Sequence, residues 1–254
     1  MDAVLAVNNV GLLPDTPSGL PGVRVATMAQ AREAHLPLVL GWFDNRLALK
    51  SSEGNETPVA VDFSGGKQGY RLAADRVRHE RLVKALGGMP TKALNVVDGT
   101  GGLGRDALVM AQAGFHVDII ERSPIIHALL ADGIERLRRE DSALAARLRL
   151  HLGDSYQWLV QKDVNPQEYF AIYLDPMFPQ RQKSAAIKKD LLWLQQLERA
   201  PEEGEAELLL SAARVRAKKR VVVKRPLRAP ALGDQAPGYS LDGKAIRFDV
   251  YLTV

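Results

Sequence analysis

The feature that most constrains the fold is a regular alternation of short apolar runs with amphipathic stretches, which begins near residue 93. The apolar runs cover 93–100, 116–122, 148–154, 169–176 and 220–226. The stretches with helical periodicity cover 105–114, 124–140, 155–162, 185–200 and 204–217. Nearly continuous apolar strands that alternate with amphipathic helices indicate a parallel sheet covered on both faces. The sequence therefore predicts an α/β fold of the doubly wound, Rossmann-like type.

The two ends of the chain depart from this alternation. In the last segment, Ile246, Phe248, Val250 and Leu252 alternate with polar residues, which predicts a half-buried antiparallel strand. Residues 1–90 contain a predicted hairpin (36–51), a predicted strand (59–64) and a predicted helix (70–88). We therefore expect an N-terminal α/β lobe over residues 1–90 and a cofactor-binding domain over residues 91–254.

Composition excludes several classes of protein. The 254 residues include no cysteine, so disulfides, cysteine–zinc sites and thiol nucleophiles are ruled out. The five histidines show no metal-ligand spacing, and we expect no metal. No apolar run is long enough to span a membrane, and the N-terminus lacks the basic start of a secretory signal, which favours a cytoplasmic protein. The net charge of +4 is concentrated in the basic stretch 214–228 and weakly suggests a polyanionic partner.

A glycine-rich loop follows the first apolar run of the alternating region. Gly99-Thr100-Gly101-Gly102-Leu103-Gly104 fits the pattern G-x-G-x-x-G, and Glu121 closes the next strand about 20 residues later, where an acid can accept hydrogen bonds from ribose hydroxyls. This pattern suits NAD(P) or S-adenosylmethionine, and it also fits a tight turn without a ligand. Asp98 favours S-adenosylmethionine, because a carboxylate repels pyrophosphate but attracts an ammonium and a sulfonium.

The fourth apolar run ends in Asp175-Pro176-Met177-Phe178-Pro179. The carboxyl ends of parallel strands are where such sheets bind ligands. The Asp175 carboxylate and the Pro176 carbonyl can accept hydrogen bonds from an exocyclic amine, and Phe178 can stack on a nucleobase. The segment resembles the [DNS]-P-P-[YF] motif of methyltransferases that modify exocyclic amines of nucleobases, with Met177 in place of the second proline. This resemblance implies Asp175, Pro176 and Phe178 as catalytic residues.

Several motifs together resemble the RsmJ (YhiQ) family of bacterial small-subunit ribosomal RNA guanine-N2 methyltransferases. They are "VVDGTGGLGRDAL", "ERSP", "YLDPMFPQRQKSA", "KKRVVVKRP" and "RFDVYL", and the similarity runs from about residue 59 to the C-terminus. The resemblance implies a class I methyltransferase fold, with a seven-stranded, mostly parallel sheet and an antiparallel last strand. It also implies methyl transfer from S-adenosylmethionine to guanine N2 in 16S ribosomal RNA or in the small subunit.

The same resemblance, together with the residue chemistry above, assigns candidate site residues. The expected cofactor-binding residues are Asp98, Gly101, Arg105, Asp106, Glu121, Arg122, Asp154, Ser155 and Asp175. The cations expected to contact RNA phosphate are Arg181, Lys183, Lys188, Lys224 and Arg225. In the N-terminal lobe, the arginines of the predicted helix belong either to an RNA-binding surface or to a solvated helix face; they are Arg71, Arg76, Arg78 and Arg81.

Three alternatives remain open at this point. An NAD(P)-dependent oxidoreductase shares the glycine loop and Glu121 but has no use for the Asp-Pro-Met-Phe motif. An adenine-N6 or other amine methyltransferase fits the motif as well as a guanine enzyme does. A non-catalytic RNA-binding protein would bind RNA without methyl transfer.

Overall fold

The computed structural model describes residues 10–63, 74–161, 169–176, 193, 197, 202–233 and 236–253. Its N-terminal part forms a sheet from β1 (Val10–Leu12), β2 (Val23–Arg24), β3 (Leu38–Phe43) and β4 (Arg46–Ser51), in the order β2-β1-β3-β4. Asp44 and Asn45 both have positive φ, as a two-residue hairpin turn requires, and they join β3 to β4 in antiparallel register. The predicted hairpin is therefore present. The short α1 (Met28–Glu33) lies between β2 and β3.

The strand predicted over 59–64 is wrong for the residues described. Only Val59 pairs with the sheet, through an isolated bridge to Leu49. Val61 and Phe63 are buried, and a Cβ placed on Gly133 would lie 2.3 Å from Val61 Cγ1. The apolar alternation of this segment therefore reflects packing against a helix and not pairing with a neighbouring strand.

The single helix predicted over 70–88 is also wrong. Residues 64–73 lie outside the described part of the chain, and the remainder forms two short helices, α2 (Ala74–Val77) and α3 (Arg81–Ala85). Glu80 interrupts them with extended backbone at φ −59° and ψ 132°. Gly87 and Gly88 have φ of 104° and 93°, and this left-handed backbone ends the segment as the sequence suggests.

The second sheet has seven strands. They are β5 (Asn95–Asp98), β6 (His116–Glu121), β7 (Leu148–Leu152), β8 (Tyr169–Leu174), β9 (Ala217–Pro226), β10 (Tyr239–Asp242) and β11 (Ile246–Leu252). Their order is β10-β11-β9-β8-β5-β6-β7, and β11 is antiparallel to both of its neighbours, whereas the other pairs are parallel. The predicted seven-stranded sheet with an antiparallel last strand is confirmed. The apolar pattern of the sequence predicts every strand of this sheet except β10, which is short and mostly exposed.

Helices cover both faces of this sheet. They are α4 (Arg105–Ala113), α5 (Pro124–Glu140), α6 (Ser142–Ala145), α7 (Ser155–Val160) and α8 (Glu205–Arg216). One buried cluster packs α3, α4 and α5 on the sheet, and a second packs α7 and α8 on the opposite face. Of the helix predicted over 185–200, only Trp193 and Leu197 are described, and both are buried. Among the described residues, no helix is long and apolar enough to cross a membrane.

The first cluster also contains residues of β1, β3 and β4, so both sheets share a hydrophobic core. The division of the chain near residue 90 stays a prediction. The strand order positions the site. β5 lies between β6 and β8, so the strands that follow β5 in sequence are added first on one side of it and then on the other. The carboxyl ends of strands at such a switch point leave a crevice.

Candidate active site

A cavity of about 350 Å³ lies at this switch point. It is bounded by the β5–α4 loop, by the ends of β6, β8 and β9, and by the first turns of α7 and α8. Polar groups lie along its length, and Ile120, Tyr156 and Leu209 provide apolar walls. A concave site with an apolar lining and a few convergent polar groups is typical of a ligand-binding pocket.

The glycine loop forms the floor of the cavity because no side chain fits there. A Cβ placed on Gly101 would lie 2.7 Å from Ile119 Cγ2, and one placed on Gly99 would lie 2.8 Å from Leu174 Cδ2. Gly101 N also donates to Ile120 O at 3.0 Å. The loop backbone is therefore packed between β6 and β8, and without side chains it can come close to a ligand in the cavity.

Asp98 is a buried carboxylate at the inner end of the cavity and is only 1% exposed. Its Oδ1 accepts hydrogen bonds from Thr100 N at 3.1 Å and from Thr100 Oγ1 at 3.4 Å. Burial raises the pKa of Asp98 to about 7, and the nearby Asp106 and Asp175 carboxylates add to this effect. A carboxylate held in this way is poised to pair with a ligand cation.

Glu121 ends β6 and is held by two backbone amides. Its Oε2 accepts from Gly102 N at 2.8 Å, and its Oε1 accepts from Ser123 N at 2.7 Å. A carboxylate oxygen has more than one lone pair, so an oxygen that accepts from an amide can also accept from a hydroxyl group. The next residue, Arg122, also lines the cavity and forms an ion pair with Glu205 at 2.6 Å, which joins β6 to the start of α8.

Two further predicted residues begin α7. Asp154 caps this helix, since its Oδ1 accepts from Gln157 N at 2.9 Å. Ser155 Oγ donates to Gly99 O at 2.6 Å and so ties the helix to the glycine loop. Across the loop, Arg105 starts α4 and also lines the cavity.

Asp175 follows β8 and is fixed at two points. Its amide donates to Thr100 Oγ1 at 2.7 Å, and its Oδ2 accepts from Lys224 Nζ at 2.7 Å. Lys224 Nζ also donates to Asp106 Oδ2 at 2.9 Å, and the same oxygen accepts from Tyr173 OH at 2.7 Å. Asp175, Lys224, Asp106 and Tyr173 therefore form one connected network.

In this network, burial and the neighbouring opposite charges shift the pKa values of Asp175 and Lys224 in opposite directions. Burial raises the pKa of Asp175, while the Lys224 ammonium lowers it and leaves a net upward shift. Burial would lower the pKa of Lys224, but the Asp106 and Asp175 carboxylates outweigh it and raise that pKa above its ordinary value. Burial also raises the pKa of Tyr173, so its hydroxyl stays a hydrogen-bond donor.

The two predicted RNA contacts on β9 differ in where the structure places them. Lys224 lies in the cavity, as we expect of a residue near the end of a buried strand, and pairs with two carboxylates. Arg225, the next residue on the strand, points to the opposite face and is 6% exposed. Its Nε and Nη2 donate to Pro230 O at 3.1 and 2.7 Å, so its guanidinium holds a loop and is not presented to phosphate.

The remaining predicted residues divide into two groups. Pro176 lines the cavity beside Asp175. Phe178, Arg181, Lys183 and Lys188 lie outside the described residues. Sequence reasoning missed Thr100 and Tyr173, although Tyr173 is two residues before Asp175 and therefore lies on the same face of the strand. Within the described part of the chain, no group of three or more acidic or histidine side chains is arranged to hold a metal.

Comparison with known proteins assigns the class of this fold and pocket. A family model described as a putative SAM-dependent methyltransferase matches residues 24–253. A solved SAM-dependent methyltransferase from Neisseria gonorrhoeae is 32% identical, with a TM-score of 0.71, over 96% of this chain and 95% of that one. The chain is thus an S-adenosylmethionine-dependent methyltransferase, and the NAD(P)-dependent and non-catalytic alternatives are set aside.

Curated relatives narrow the class further. A protein of Alcanivorax borkumensis named ribosomal RNA small subunit methyltransferase J is 52% identical over 95% of both chains. A protein of the same name from Alkalilimnicola ehrlichii is 46% identical over 82% of this chain and 79% of its own length. The chain belongs to the family of ribosomal RNA small subunit methyltransferase J.

Proposed function

We propose that this enzyme transfers a methyl group from S-adenosylmethionine to the exocyclic N2 of a guanine in small-subunit (16S) ribosomal RNA. The observation that carries the proposal is the position of Asp175, whose carboxylate is held at the open end of β8 beside the glycine loop. The names of the relatives support the RNA substrate, and the resemblance of the sequence motifs supports N2 of guanine. A ribosomal RNA substrate also supports a cytoplasmic location of the enzyme.

The donor set along the cavity fits S-adenosylmethionine. Buried Asp98 suits the ammonium of the methionine part, and Glu121 suits the ribose hydroxyls, since its two oxygens are already oriented by backbone amides. Asp154 and Ser155 lie where the adenine amine is expected, with Ile120 and Leu209 as apolar walls for the ring. Gly101 provides backbone contact, and Arg105, Asp106 and Arg122 complete the predicted set.

The bound cofactor supplies a methyl group on a positively charged sulfur. The protein orients the acceptor amine toward that methyl group and excludes water from the contact. Asp175 Oδ1 and the Pro176 carbonyl accept hydrogen bonds from the amine, and Oδ1 takes up the amine proton as the nitrogen becomes positively charged. Phe178 stacks on the base in this proposal.

Lys224 positions Asp175 for this role. Its ammonium binds Oδ2, which leaves Oδ1 for the acceptor, and its charge lowers the pKa of the carboxyl group and so opposes the effect of burial. Asp106 and Tyr173 in turn hold Lys224 in place. Lys224 is therefore a positioning residue and does not contact RNA phosphate in this proposal.

The target guanine must leave its stack to reach the cavity, which costs a few kcal/mol. Contacts to the flanking phosphates offset that cost, and we retain Arg181, Lys183 and Lys188 as contacts on the segment that follows Asp175. The reaction needs no metal, because the methyl group is already activated by the charge on sulfur.

The test is methyl transfer from labelled S-adenosylmethionine to 16S RNA and to small subunits, both prepared from a strain that lacks the corresponding gene. Nucleoside analysis of the product is expected to give N2-methylguanosine. N6-methyladenosine would instead support the adenine alternative, with the same cofactor and pocket. No transfer to either substrate, although S-adenosylmethionine binds, would overturn the proposed substrate.

A further inference from the structure

Three exposed cations from three separate segments lie at the same sheet edge as the cavity. They are Arg81 at the start of α3, Arg228 after β9 and Lys244 in the turn between β10 and β11. In the residues that the structure describes, none of the three forms an ion pair. We call these three residues the edge surface.

Strand register brings the edge surface together. β9 is parallel to β8, so the end of β9 lies at the edge where Asp175 follows β8. Pro226 of β9 pairs with Ile246 of β11, and Leu227 N donates to Ala245 O at 3.0 Å. This hydrogen bond places the segment that contains Arg228 directly beside the turn that contains Lys244.

Arg81 reaches the same turn from the other side. A Cβ placed on Gly243, the residue before Lys244, would lie 3.7 Å from Arg81 Nη1. The turn itself is closed by Gly243 N, which donates to Ile246 O at 2.7 Å. All three cations therefore border a single turn, although Arg81 precedes Arg228 by more than a hundred residues in the sequence.

Two arginines, Arg247 and Arg225, hold the segment that presents Arg228. Arg247 Nη1 donates to Leu227 O and to Ala229 O, both at 2.7 Å, and its Nε is bound to the fully buried Asp249. Arg225 binds Pro230 O from the other end of the segment. The backbone on both sides of Arg228 is fixed, which lowers the entropy lost when its side chain binds a partner.

The edge surface lies close to the acceptor end of the cavity. Neighbouring strands are about 4.8 Å apart, and β8, β9, β11 and β10 are consecutive, so the turn is roughly 15 Å from Asp175. Two acids border the surface: Asp242, which faces Arg247 across the ladder, and Glu80, which precedes Arg81 in the sequence. A fixed group of cations beside a pocket for a nucleobase matches the phosphates that flank that base.

We propose that Arg81, Arg228 and Lys244 bind the phosphate backbone of the RNA substrate next to the methylated guanine. This inference rests on the proposed function and names the protein surface that grips the RNA. In this inference Arg228, and not Arg225, contacts RNA phosphate. Arg225 holds the segment that presents Arg228. The contacts are to phosphate, so they contribute affinity and orientation and no base preference.

The chain offers a matched control for the test. Lys218 and Lys219 are also exposed, but they begin β9 and lie at the opposite edge of the sheet, roughly 25–30 Å away along the strand. The doubly substituted Arg228→Ala, Lys244→Ala and the doubly substituted Lys218→Ala, Lys219→Ala each remove two positive charges. Adding Arg81→Ala to the first variant extends the series to the third member of the edge surface.

Binding of 16S RNA and of small subunits from the deletion strain is measured over a range of salt concentrations. We expect the Arg228/Lys244 variant to bind naked RNA roughly tenfold more weakly at 0.1 M salt, with a log–log salt slope reduced by about 1.4, while the control changes little. Tm and the affinity for S-adenosylmethionine are expected to stay at wild-type values in both variants.

An equal loss of RNA affinity in the Arg228/Lys244 variant and the Lys218/Lys219 control would overturn the edge surface as the RNA contact. So would unchanged affinity in the Arg228/Lys244 variant. Weaker binding to subunits with unchanged binding to naked RNA would overturn it in favour of an acidic protein partner. If one of these results is obtained and the wild-type enzyme still methylates the RNA, the proposed function stands although this inference fails. If wild type transfers no methyl group to either substrate, the proposed function has failed independently of these variants.

Discussion

At the scale of single residues, Asp98 is proposed to bind the cofactor, and its buried carboxylate lowers the stability of the fold. The pKa of its carboxylate is 3.8 in the absence of the fold and about 7 within it. The folded state therefore binds the proton more tightly, and stability falls as pH rises from about 4 to 7. Above pH 7 the buried charge costs on the order of 4 kcal/mol, at 1.36 kcal/mol per pKa unit.

Asp98→Asn removes this charge and keeps an oxygen that can accept from Thr100 N. We expect its Tm to exceed that of wild type by several degrees at pH 8 and to match wild type at pH 4. Affinity for S-adenosylmethionine is expected to fall roughly 10- to 100-fold at pH 8, because a charge-assisted hydrogen bond is lost. A variant that is no more stable at pH 8 and binds the cofactor as wild type does would contradict this role of Asp98.

Lys224 is a second residue whose charge has a measurable consequence. The charged and titratable groups around Asp175 are Lys224 from β9, Asp106 and Arg105 from α4, Asp98 from β5 and Tyr173 from β8. In this set, Lys224 is the cation that contacts the Asp175 carboxylate. Removing it raises the pKa of Asp175 further, so a higher pH is needed to ionise the carboxylate proposed as catalytic.

In single-turnover methyl transfer, Lys224→Met is therefore expected to shift the acid limb of the pH–rate profile to higher pH and to lower the maximal rate. Lys224→Arg keeps the charge, and we expect it to retain the wild-type position of the limb. Cofactor affinity is measured in parallel, since Lys224 lines the same cavity. An acid limb that stays in place in Lys224→Met would show that Lys224 does not control Asp175.

At the scale of elements, the glycine loop is shaped by its neighbours as much as by its own backbone. Gly102 and Gly104 both have positive φ, at 51° and 69°. A Cβ on Gly104 would lie 2.6 Å from Leu130 Cδ1 of α5, whereas a Cβ on Gly102 meets nothing closer than 3.9 Å. The two positions therefore separate backbone strain from steric overlap.

Gly102→Ala is expected to lose about 1 kcal/mol of unfolding free energy from the left-handed backbone alone. Gly104→Ala carries the same strain and adds overpacking against α5, for a total of roughly 2–4 kcal/mol. Denaturant unfolding of both variants measures the difference. Equal losses would mean that α5 moves aside freely, contrary to the packing of Leu130 in the core.

The elements were predictable where their pattern was strong. The five parallel strands and the helix from Pro124 to Glu140 follow from apolar periodicity alone. β10 was missed because four residues with one half-buried leucine give no period. The strand over 59–64 was predicted wrongly because large apolar residues recur there at every second position. Val61 and Phe63 in fact pack against α5, and periodicity does not reveal which element the buried side chains contact.

The site was predictable to a similar degree. Strand order brings Asp98, Glu121 and Asp175 together, as their positions at the ends of apolar runs suggest. The sequence places Lys224 and Arg225 side by side in a basic stretch and assigns both to RNA. The strand pleat sends one into the cavity and the other to the opposite face, and only the pairing of distant residues shows which carboxylates and carbonyls they meet.

At the scale of the whole molecule, the strands on the two sides of β5 contribute different parts of the proposed site. The side toward β6 and β7 contributes Glu121 and Asp154 for the proposed cofactor site, β5 itself contributes Asp98, and the side toward β8 and β9 contributes Asp175 and Lys224. Further along the same side, β11 and β10 carry the edge surface. The order of strands thus matches the proposed order of ligands, from cofactor to guanine to RNA backbone.

The most direct test of this arrangement is single-turnover methyl transfer to small-subunit RNA by wild type and Asp175→Asn, each saturated with S-adenosylmethionine. The asparagine is nearly isosteric and can still accept a hydrogen bond, but it cannot take up the amine proton. We expect the rate of N2-methylguanosine formation to fall roughly 10²- to 10³-fold, with RNA affinity within a few-fold of wild type. Transfer by Asp175→Asn at close to the wild-type rate would contradict the central claim that Asp175 is the acceptor-side catalytic group.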